Sequence, residues 1–497
     1  MAITAGSNLN SVVASRKQTL ASNYLDLAST AGQGWAQQYL PDLMEKEAEV
    51  FGNRTIGGFL SQVGAEESMS SDQVIWSEQG RLHLSYKAVL GTEVNASANG
   101  NLRLDFASAT DVDGNAVAGA TAGFDHGIRV GDMLLISDAD STHQVFVNKV
   151  DAVTGTQDGY VYCERYDGNQ VGMTGLATTA DLSVLVYGSE FVKGSVGRTG
   201  ANKPQFKTRS NKPIILKDKY EVSGSDASQI GWVEVSGEEG QNGYLWYLKA
   251  SGDTKARFGD YLEMALLESV KAVAAMQPSP IPGAAGDIGG TEGLWQALET
   301  RGNVSNALDG ATAAQALAEF DDIISELDAN GAIEENMMFL DRTTALSIDD
   351  MLAGMNNYGA VGGTSYGVFN NDADMALNLG FSGFRRGSYD FYKSDFKYLN
   401  DKSTRGLING AGAVAIHGVM IPAGVSSVYD QSLGRNLKRP FLHTRYRASN
   451  MESRKYKTWT TGSVGATTSD LDAMEMHFLS ERCLVVQGAN NFVLLKG

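Results

Sequence analysis

Two periodicities of apolar residues divide the chain. Between residues 91 and 188, short runs that alternate apolar and polar residues are separated by Gly, Asp and Asn, the pattern of β-strands joined by tight turns. Five such runs predict a small β-barrel or β-sandwich. From Thr254 to Gln277, apolar residues recur at the spacing of one helix face, and the prolines that begin at Pro278 end the pattern. A long helix is therefore predicted there, with Asp253 as its N-cap.

Further elements are predicted on both sides of that helix. Apolar residues at period two on either side of Gly80 predict a β-hairpin over residues 73–90. A second helix is predicted from Ala311 to Leu327, and strands are predicted from Glu475 to Leu495. The combination predicts an α+β protein. Because 497 residues exceed the size at which one hydrophobic core stops growing, several domains are expected.

Charge is unevenly distributed along the chain. The formal net charge is −18, from 58 acidic and 40 basic residues, which disfavours tight binding to DNA or to anionic lipid. Residues 193–219 and 435–457 each hold eight of the basic residues. We interpret these segments as basic arms that contact acidic surfaces of identical neighbouring subunits, and ordinary solvated faces are the alternative. The predicted subunit-interface residues are Lys193, Arg198, Lys203, Lys207, Arg209, Lys212, Lys217, Lys219, Arg435, Lys438, Arg439, Arg445 and Arg447.

The first basic segment is also predicted to be extended. Residues 189–245 are only weakly apolar, so an arm built from them cannot bury much of its own surface. Such an arm is either mobile or stabilised by a neighbour, and in a closed assembly the neighbour supplies the contact. The sequence therefore predicts a β arm that lies on another copy of the chain.

The sequence lacks the motifs of catalytic, cofactor and metal sites. Its six histidines are scattered, and none begins an HExxH stretch. The segment from Asp111 to Asn115 resembles the start of a calcium loop, but Ala116 and Ala122 stand where that loop needs glycine and glutamate. The glycines before Lys203 do not have the spacing that wraps a phosphate. No catalytic residue, metal site or cofactor is predicted, and an enzyme is not expected.

Cysteine usage and hydropathy suggest a cellular setting. Cys163 and Cys483 are the only cysteines, so there is no disulfide framework, and a reducing compartment is expected. The N-terminus has no basic leader followed by an apolar core, and no run of 18 apolar residues occurs in the sequence. Neither a secretion signal nor a membrane-spanning helix is expected.

Three stretches carry a resemblance to a known family. They are KYEVSG at residues 219–224, the long helix from Thr254 to Gln277, and VAIHGVMIPAG beginning at Val414. With the order of elements around them, they resemble the major capsid proteins of tailed bacteriophages, which have the Hong Kong 97 fold. The β block at 91–188 goes beyond the minimal family pattern and is similar to the domains inserted in larger relatives, such as those of crAss-like gut phages.

The resemblance implies an α+β capsid fold divided into named parts. These are an N-terminal arm with the start of the peripheral domain (1–72), a β-hairpin at the base of the E-loop (73–90), an inserted β-barrel or β-sandwich domain (91–188), an extended basic E-loop (189–245), a peripheral domain with a long spine helix (246–289), an axial domain (290–430) and a return to the peripheral domain (431–497).

The resemblance also implies a function. Major capsid proteins self-assemble into hexamers and pentamers that form the icosahedral shell around the phage genome. The implied partners are further copies of the chain, portal, scaffold, and decoration or auxiliary capsid proteins; packaged double-stranded DNA is contacted only weakly and non-specifically, and no membrane is involved. The implied location is the virion capsid, assembled in the bacterial host cytoplasm. Two alternatives remain open: a tail tube, tail sheath or surface-layer protein, and, with less support, a hydrolase with scattered carboxylates.

Overall fold

The structure is a computed structural model of the 497-residue chain. It describes residues 65–79, 81, 83–93, 102–111, 126–138, 141–151, 159–166, 182–198, 200, 206–227, 235–236, 242–243, 246–272, 288–306, 308, 313–331, 333–358, 382–409, 414–423, 425–430, 435–464 and 467–497. Most of the predicted N-terminal arm, residues 1–64, therefore lies outside the described residues.

Strands dominate the described part of the chain. They are β1 (Ala65–Met69), β2 (Val74–Gln79), β3 (Ser85–Glu93), β4 (Leu102–Asp105), β5 (Asp132–Ser137), β6 (Thr142–Val150), β7 (Val161–Arg165), β8 (Leu182–Ser189), β9 (Phe206–Asn211), β10 (Ile214–Ser223), β11 (Val235–Ser236), β12 (Asn242–Gly243), β13 (Asn303–Ser305), β14 (Glu335–Leu340), β15 (Ser382–Arg386), β16 (Tyr389–Asp395), β17 (Ile416–Pro422), β18 (Val425–Asp430), β19 (Arg435–Pro440), β20 (Leu442–Arg447), β21 (Lys457–Gly462), β22 (Ala473–Val486) and β23 (Val493–Lys496).

Helices are fewer and lie mainly in the second half of the chain. They are α1 (Gly224–Ala227), α2 (Trp246–Glu268), α3 (Leu294–Arg301), α4 (Ala313–Asn330), α5 (Arg342–Tyr358), α6 (Lys397–Asn400) and α7 (Arg405–Asn409), with a 3₁₀ turn at Ala489–Asn491. Within the described ranges, none of these helices is both long and apolar enough to cross a membrane. The described residues thus form a mixed α/β protein with many strands.

The chain folds as two compact units. The barrel unit is Gln73–Asn211, and the main unit is Lys212–Gly497 together with the described residues up to Asp72. Both segments that flank the barrel unit in sequence belong to the main unit. The barrel unit is therefore an insertion in the sequence of the main unit.

Six strands of the barrel unit close on themselves. Their neighbour order is β3-β4-β7-β6-β5-β8, with β8 returning to β3. Alternate residues of β5 are buried, as expected for strands with one face toward a barrel interior. The sequence left a barrel and a sandwich open, and the structure has a closed barrel. Its interior is filled by apolar side chains that include Val89, Leu104, Phe106, Leu134, Ile136, Val145, Val161, Cys163 and Leu182.

The β-hairpin predicted over residues 73–90 is wrong. β2 pairs with β9 in antiparallel register, from Val74 opposite Asn211 to Gln79 opposite Phe206, whereas β3 joins the barrel. Alternation of apolar residues indicated a strand on each side of Gly80 but could not identify the partners, because pairing depends on residues far away in sequence. We call the two-stranded sheet of β2 and β9 the ribbon.

A five-stranded sheet forms one half of the main unit. Its order is β1-β20-β22-β10, and β21 also pairs with β22. β10 pairs with β22 over ten residues in antiparallel register, from Ile214 opposite Arg482 to Ser223 opposite Ala473. The prediction that the whole basic segment 189–245 is held by a neighbouring copy is therefore wrong for β10, because this strand is held by its own chain.

Helix α2 packs on one face of that sheet. Phe258 and Leu262 of the helix contact Phe478 of β22, and the Phe258 and Phe478 rings lie 5.9 Å apart. The helix begins eight residues before the predicted Thr254, whose hydroxyl donates to the Ala250 carbonyl at 2.8 Å as in a helix interior. It ends before the predicted Gln277 because the carbonyl of Ser269 accepts from the Gly293 amide at 2.8 Å.

A mixed six-stranded sheet forms the other half of the main unit. Its order is β13-β23-β17-β14-β16-β15. Helices α4 and α5 pack against it around Phe320, Ile348 and Phe391, and α4 occupies Ala313–Asn330 where 311–327 was predicted. β23 belongs to this sheet, whereas β20, β21 and β22 of the same C-terminal segment belong to the five-stranded sheet. The β23 residues Val493–Leu495 are fully buried, which favours a central position in a sheet.

One hydrophobic core joins the two sheets. It contains Leu266 of α2, the inward side of α3, Phe396, Ile416 of β17 and Leu484 of β22. Elements from both sheets bury their apolar faces in the same cluster, so they fold as parts of one unit. This core holds the C-terminal ends of α2 and β22, and β22 pairs with β20, which carries the predicted interface residues Arg445 and Arg447.

Candidate subunit-interface surfaces

Two predicted interface residues, Lys207 and Arg209, lie on the ribbon. The pairing of β2 with β9 places Arg209 opposite Trp76 and Lys207 opposite Glu78, so these four side chains share one face. The Glu78 carboxylate accepts from Trp76 Nε1 at 3.1 Å and lies 3.6 Å from Arg209 Nε. This face therefore carries charges of both signs, and part of its positive charge is balanced within the chain.

The opposite face of the ribbon is uncharged. It presents Ile75 and Ser77 from β2 opposite Ser210 and Thr208 from β9. Ile75 is 62% exposed, which is unusual for an isoleucine in a strand. Within the described residues, β2 and β9 pair with each other and with no further strand. The ribbon thus offers an uncharged strand surface and two outer strand edges.

Lys193 and Arg198 follow β8 in the barrel unit. Lys193 is exposed, whereas Arg198 reaches back to the carboxylate of Asp132, with Nη2 and Oδ2 2.9 Å apart. Asp132 is fully buried, and its Oδ2 also accepts from the Arg129 amide at 2.8 Å. Arg198 therefore neutralises a buried charge of its own chain. Lys203 lies outside the described residues.

Three further predicted lysines lie just before β10 or on it. Lys212 and Lys217 are exposed, and Lys217 and Lys219 point to the same face of β10. Lys219 Nζ lies 2.8 Å from carboxylate oxygens of both Glu221 and Glu475. Its hydrogen bonds to Glu221 and then to Glu475 raise the pKa of Lys219, and the Lys219 hydrogen bond lowers the pKa of Glu475. Both groups therefore stay charged at neutral pH.

Arg445 and Arg447 lie on β20 in the same sheet. Arg445 Nη2 is 2.7 Å from the Glu67 carboxylate of β1. Arg447 contacts the Asp72 carboxylate and lies 3.7 Å from Glu481, and its hydrogen bond to Asp72 raises the pKa of Arg447. Both arginines thus tie β20 to neighbouring segments of the same chain.

The remaining three predicted residues lie on β19. Arg435, Lys438 and Arg439 belong to this strand, which pairs with β18 as a separate two-stranded sheet. Their side chains lie outside the described residues. The described backbone shows a second two-stranded element with a basic sequence.

The structure brings four of the predicted residues to one surface. In the five-stranded sheet, Lys217 and Lys219 lie opposite Leu479 and His477, and Arg445 lies opposite Cys483. These three β22 residues point away from Phe478, so Lys217, Lys219, Arg445 and Arg447 share the face opposite α2. On the same face, the Trp459 ring stacks on His477 with centroids 5.1 Å apart. In the barrel unit, Lys207 and Arg209 share one face of the ribbon, whereas Lys193 and Arg198 lie in the segment that follows β8.

Sequence reasoning missed the acidic partners of these basic residues. Arg198, Arg209, Lys219, Arg445 and Arg447 each contact a carboxylate of their own chain, contributed by Asp132, Glu78, Glu475, Glu67 and Asp72 among others. Most of these carboxylates lie far away in sequence. Only strand register, which the sequence does not display, places them within reach.

The two cysteines are chemically inert in this fold. Cys163 lies in the barrel interior, and burial raises the pKa of its thiol. Burial likewise raises the pKa of Cys483 to about 12, and its sulfur lies 4.0 Å from that of Met69. Both thiols are therefore protonated at neutral pH, and neither is an activated nucleophile.

Comparisons with known proteins gave structural matches only. No family model and no curated protein matches the chain. Among solved structures, a chain of Microbacterium phage Oxtober96 is 10% identical, with 93% of this chain and 97% of that chain covered and a TM-score of 0.39. A chain from the asymmetric unit of the bacteriophage PhiM1 mature capsid is 11% identical over 62% of this chain and 79% of that one, with a TM-score of 0.31.

A third match is a chain from the capsid of a native GTA particle computed with C5 symmetry. It is 10% identical, covers 94% of this chain and 97% of that chain, and has a TM-score of 0.35. All three TM-scores are below 0.5, so these superpositions do not by themselves define a shared fold.

Proposed function

We propose that this chain is the major capsid protein of a tailed bacteriophage. In this proposal it self-assembles into hexamers and pentamers that form the icosahedral shell enclosing the phage genome. No catalytic step or cofactor is part of the function. The proposal is supported by the family resemblance of the sequence and, in the structure, by the ribbon.

The ribbon carries the structural argument. A two-stranded sheet is marginally stable in water without packing against something else. This ribbon buries Trp76 on its charged face, but its uncharged face leaves Ile75 exposed and its outer edges pair with no other described strand. Unpaired strand edges favour association with another chain. A second copy that covers the uncharged face would stabilise the ribbon and link two subunits.

The intrachain ion pairs argue against a contact between subunits that is mainly electrostatic. The sequence favoured attraction between basic arms and acidic neighbours, but Arg209 and Lys219 already contact carboxylates of their own chain. Exposed ion pairs contribute only about 0–1 kcal/mol each. We therefore assign the main contact to the uncharged face of the ribbon, with Lys207 and the other exposed lysines contributing to orientation and to the rate of association.

The parts of the Hong Kong 97 fold can be proposed for these elements. The ribbon corresponds to the E-loop, α2 to the spine helix, the five-stranded sheet to the peripheral domain and the six-stranded sheet to the axial domain. The barrel corresponds to a domain inserted in the E-loop, as in larger relatives such as those of crAss-like phages. Support for this assignment comes from the order of elements along the chain.

Partners and location follow from the same proposal. The chain would contact further copies of itself, a portal, a scaffold, and decoration or auxiliary proteins, and it would reside in the virion capsid after assembly in the bacterial host cytoplasm. A net charge of −18 supports weak, non-specific contact with packaged DNA. No membrane contact is proposed.

The proposal is tested by the particles that the purified chain forms. Sedimentation and electron microscopy of recombinant protein should show closed shells or capsomer rings. Tubes or flat lattices would instead favour a tail or surface-layer protein. A chain that stays monomeric at high concentration, with or without crowding agents, would contradict self-assembly.

A substitution on the ribbon tests the proposed contact. Ile75→Asp places a charge on the uncharged face and should abolish assembly while the monomer stays folded. Ile75→Thr is the matched control, because threonine is uncharged and is also favoured in strands. It should assemble. Equal particle yield from both variants would show that this face is not the interface.

A further inference from the structure

The barrel unit has a groove that the proposed shell function does not use. Its volume is about 560 Å³, within the range of small-molecule sites. Aromatic side chains Phe146, Tyr166 and Phe191 form much of its lining. The groove lies between the end of β7, the middle of β6 and the segment that follows β8.

One wall of the groove is held by a glycine turn. Gly131 has φ +95°, a conformation that favours glycine, and a Cβ on it would lie 3.2 Å from the ring of Phe191. The Gly131 carbonyl accepts from the Glu190 amide at 2.9 Å. The Phe191 ring therefore rests on the backbone of this turn, and its other side is available to a ligand.

The second wall is held by a side-chain hydrogen bond. The Tyr166 hydroxyl donates to the Glu190 carboxylate at 2.6 Å, and its ring meets Phe146 edge to face at 6.3 Å. Burial and then Glu190 raise the pKa of Tyr166 to about 12, so the hydroxyl remains a donor at neutral pH. The aromatic walls are thus positioned before any ligand arrives, which lowers the entropy cost of binding.

Several apolar side chains of the groove are unusually exposed to solvent. Tyr166 is 49% exposed, Phe191 45% and Val192 82%. Contiguous exposed apolar side chains on a soluble protein mark interaction sites. Their rings and methyl groups offer flat apolar surface to a ligand.

The polar groups of the groove narrow the chemistry of that ligand. Glu164, Arg165 and Glu190 line it, so carboxylate acceptors and a guanidinium donor stand beside the rings with a net charge near −1. Glu164 already accepts from Asn148 Nδ2 at 2.9 Å and, like Glu190, can accept further hydrogen bonds. Two carboxylates disfavour phosphate or nucleic acid, and Arg165 disfavours a polybasic segment.

An uncharged ligand with flat apolar faces and hydroxyl edges matches this combination. Sugar rings have that form: their C–H faces pack on aromatic rings, and their hydroxyls donate to carboxylates and accept from guanidinium. We propose that the barrel groove is a binding site for a neutral oligosaccharide. Phe191 and Tyr166 contact the sugar faces, and Glu164, Arg165 and Glu190 bind the hydroxyls. This inference is independent of shell assembly.

Binding can be measured on the full-length, unassembled protein. The probes are maltotetraose, chitotetraose and lacto-N-tetraose at millimolar concentration, followed by saturation-transfer NMR and titration calorimetry. At least one should bind. Phe191→Ala should then weaken binding roughly tenfold, the value expected for losing an aromatic contact and its buried area.

A matched control is available on the same barrel. Tyr187 is 48% exposed on β8 but does not line the groove, so Tyr187→Ala should leave the dissociation constant within about twofold of the parent value. Arg165→Met should also weaken binding while the aromatic walls remain. These two variants distinguish specific binding in the groove from nonspecific binding to the barrel surface.

Two results would overturn the proposal. One is the absence of saturation transfer from all three probes, and the other is binding that Phe191→Ala leaves unchanged. If Phe191→Ala instead stops assembly into particles and no probe binds, the groove is a contact between copies. Failure of assembly with intact sugar binding would contradict the proposed shell function alone.

Discussion

Glu268, at the end of α2, joins four separate segments of the main unit. Its Oε1 accepts from the Tyr398 hydroxyl at 2.6 Å and from Trp295 Nε1 at 3.2 Å. Its Oε2 lies 2.6 Å from Arg405 Nη1, and Arg405 in turn donates to the Val414 carbonyl at 3.0 Å. Tyr398 and Trp295 are buried, whereas the Glu268 side chain is 33% exposed, so water can replace only part of the lost acceptor. We predict that Glu268→Ala strongly destabilises the main unit.

The magnitude follows from the groups left without a partner. Each buried neutral donor that loses its acceptor costs about 1–3 kcal/mol. The two donors together would cost about 2–6 kcal/mol, and water that replaces part of the acceptor at the 33% exposed Glu268 site brings this to about 2–4 kcal/mol. Losing the Arg405 ion pair adds up to about 1 kcal/mol. Removing an acidic residue from a helix C-terminus offsets about 0.3–1 kcal/mol, so the net cost is about 2–4 kcal/mol. Glu268→Gln keeps one acceptor oxygen and should cost about 1–2 kcal/mol.

The assay is urea unfolding of unassembled protein, with the free energy of unfolding extrapolated to water. Glu299→Ala is the control, because Glu299 contacts Lys496 at 2.9 Å on the surface and should contribute less than about 1 kcal/mol. A double-mutant cycle with Arg405→Ala should give a coupling energy above about 1 kcal/mol. If Glu268→Ala unfolds at the same urea concentration as Glu299→Ala, the reasoning is refuted.

Three further predictions concern assembly, pH and thiol chemistry. Reversing the charges at the exposed Lys207 and Lys212 should leave the monomer folded and slow assembly without abolishing it, and an unchanged rate of particle formation in light scattering would contradict this. Burial and the Glu268 hydrogen bond raise the pKa of Tyr398. The phenol of the unfolded chain ionises at its ordinary pKa, so the free energy of unfolding should fall as pH rises above about 10. The fall should be less steep in Tyr398→Phe, and thermal unfolding measured across alkaline pH would show the difference. The two buried cysteines should react with a thiol reagent only on unfolding, and rapid labelling of native protein would count against their burial.

Local patterns in the sequence were enough to find many elements. The alternation between residues 91 and 188 predicted the strands of a small β domain, and the spacing from Thr254 predicted a long helix. The helix bounds were wrong: the helix begins at Trp246, and it stops early because the Ser269 carbonyl is satisfied by the Gly293 amide instead of by a further helical turn. Propensity alone does not report such contacts.

Strand partners could not be predicted. β10 pairs with β22, about half the chain length away in sequence. β2 pairs with β9, although the barrel strands lie between them in sequence. Each pairing is decided by buried faces that meet only in the folded protein. The same limit applies to the candidate interface: the sequence shows where Arg445 and Lys219 are, but not that Glu67 and Glu475 lie beside them.

The first and last strands of the barrel, β3 and β8, are neighbours. Ser85 of β3 lies opposite Leu185 of β8, so the chain comes into the barrel and goes out of it at one place, and the ribbon strands precede and follow it. A tight turn could therefore bridge those two points without disturbing the pairing of β2 with β9. We therefore expect that the barrel strands could be deleted, or replaced by another domain, while the rest of the chain keeps its fold.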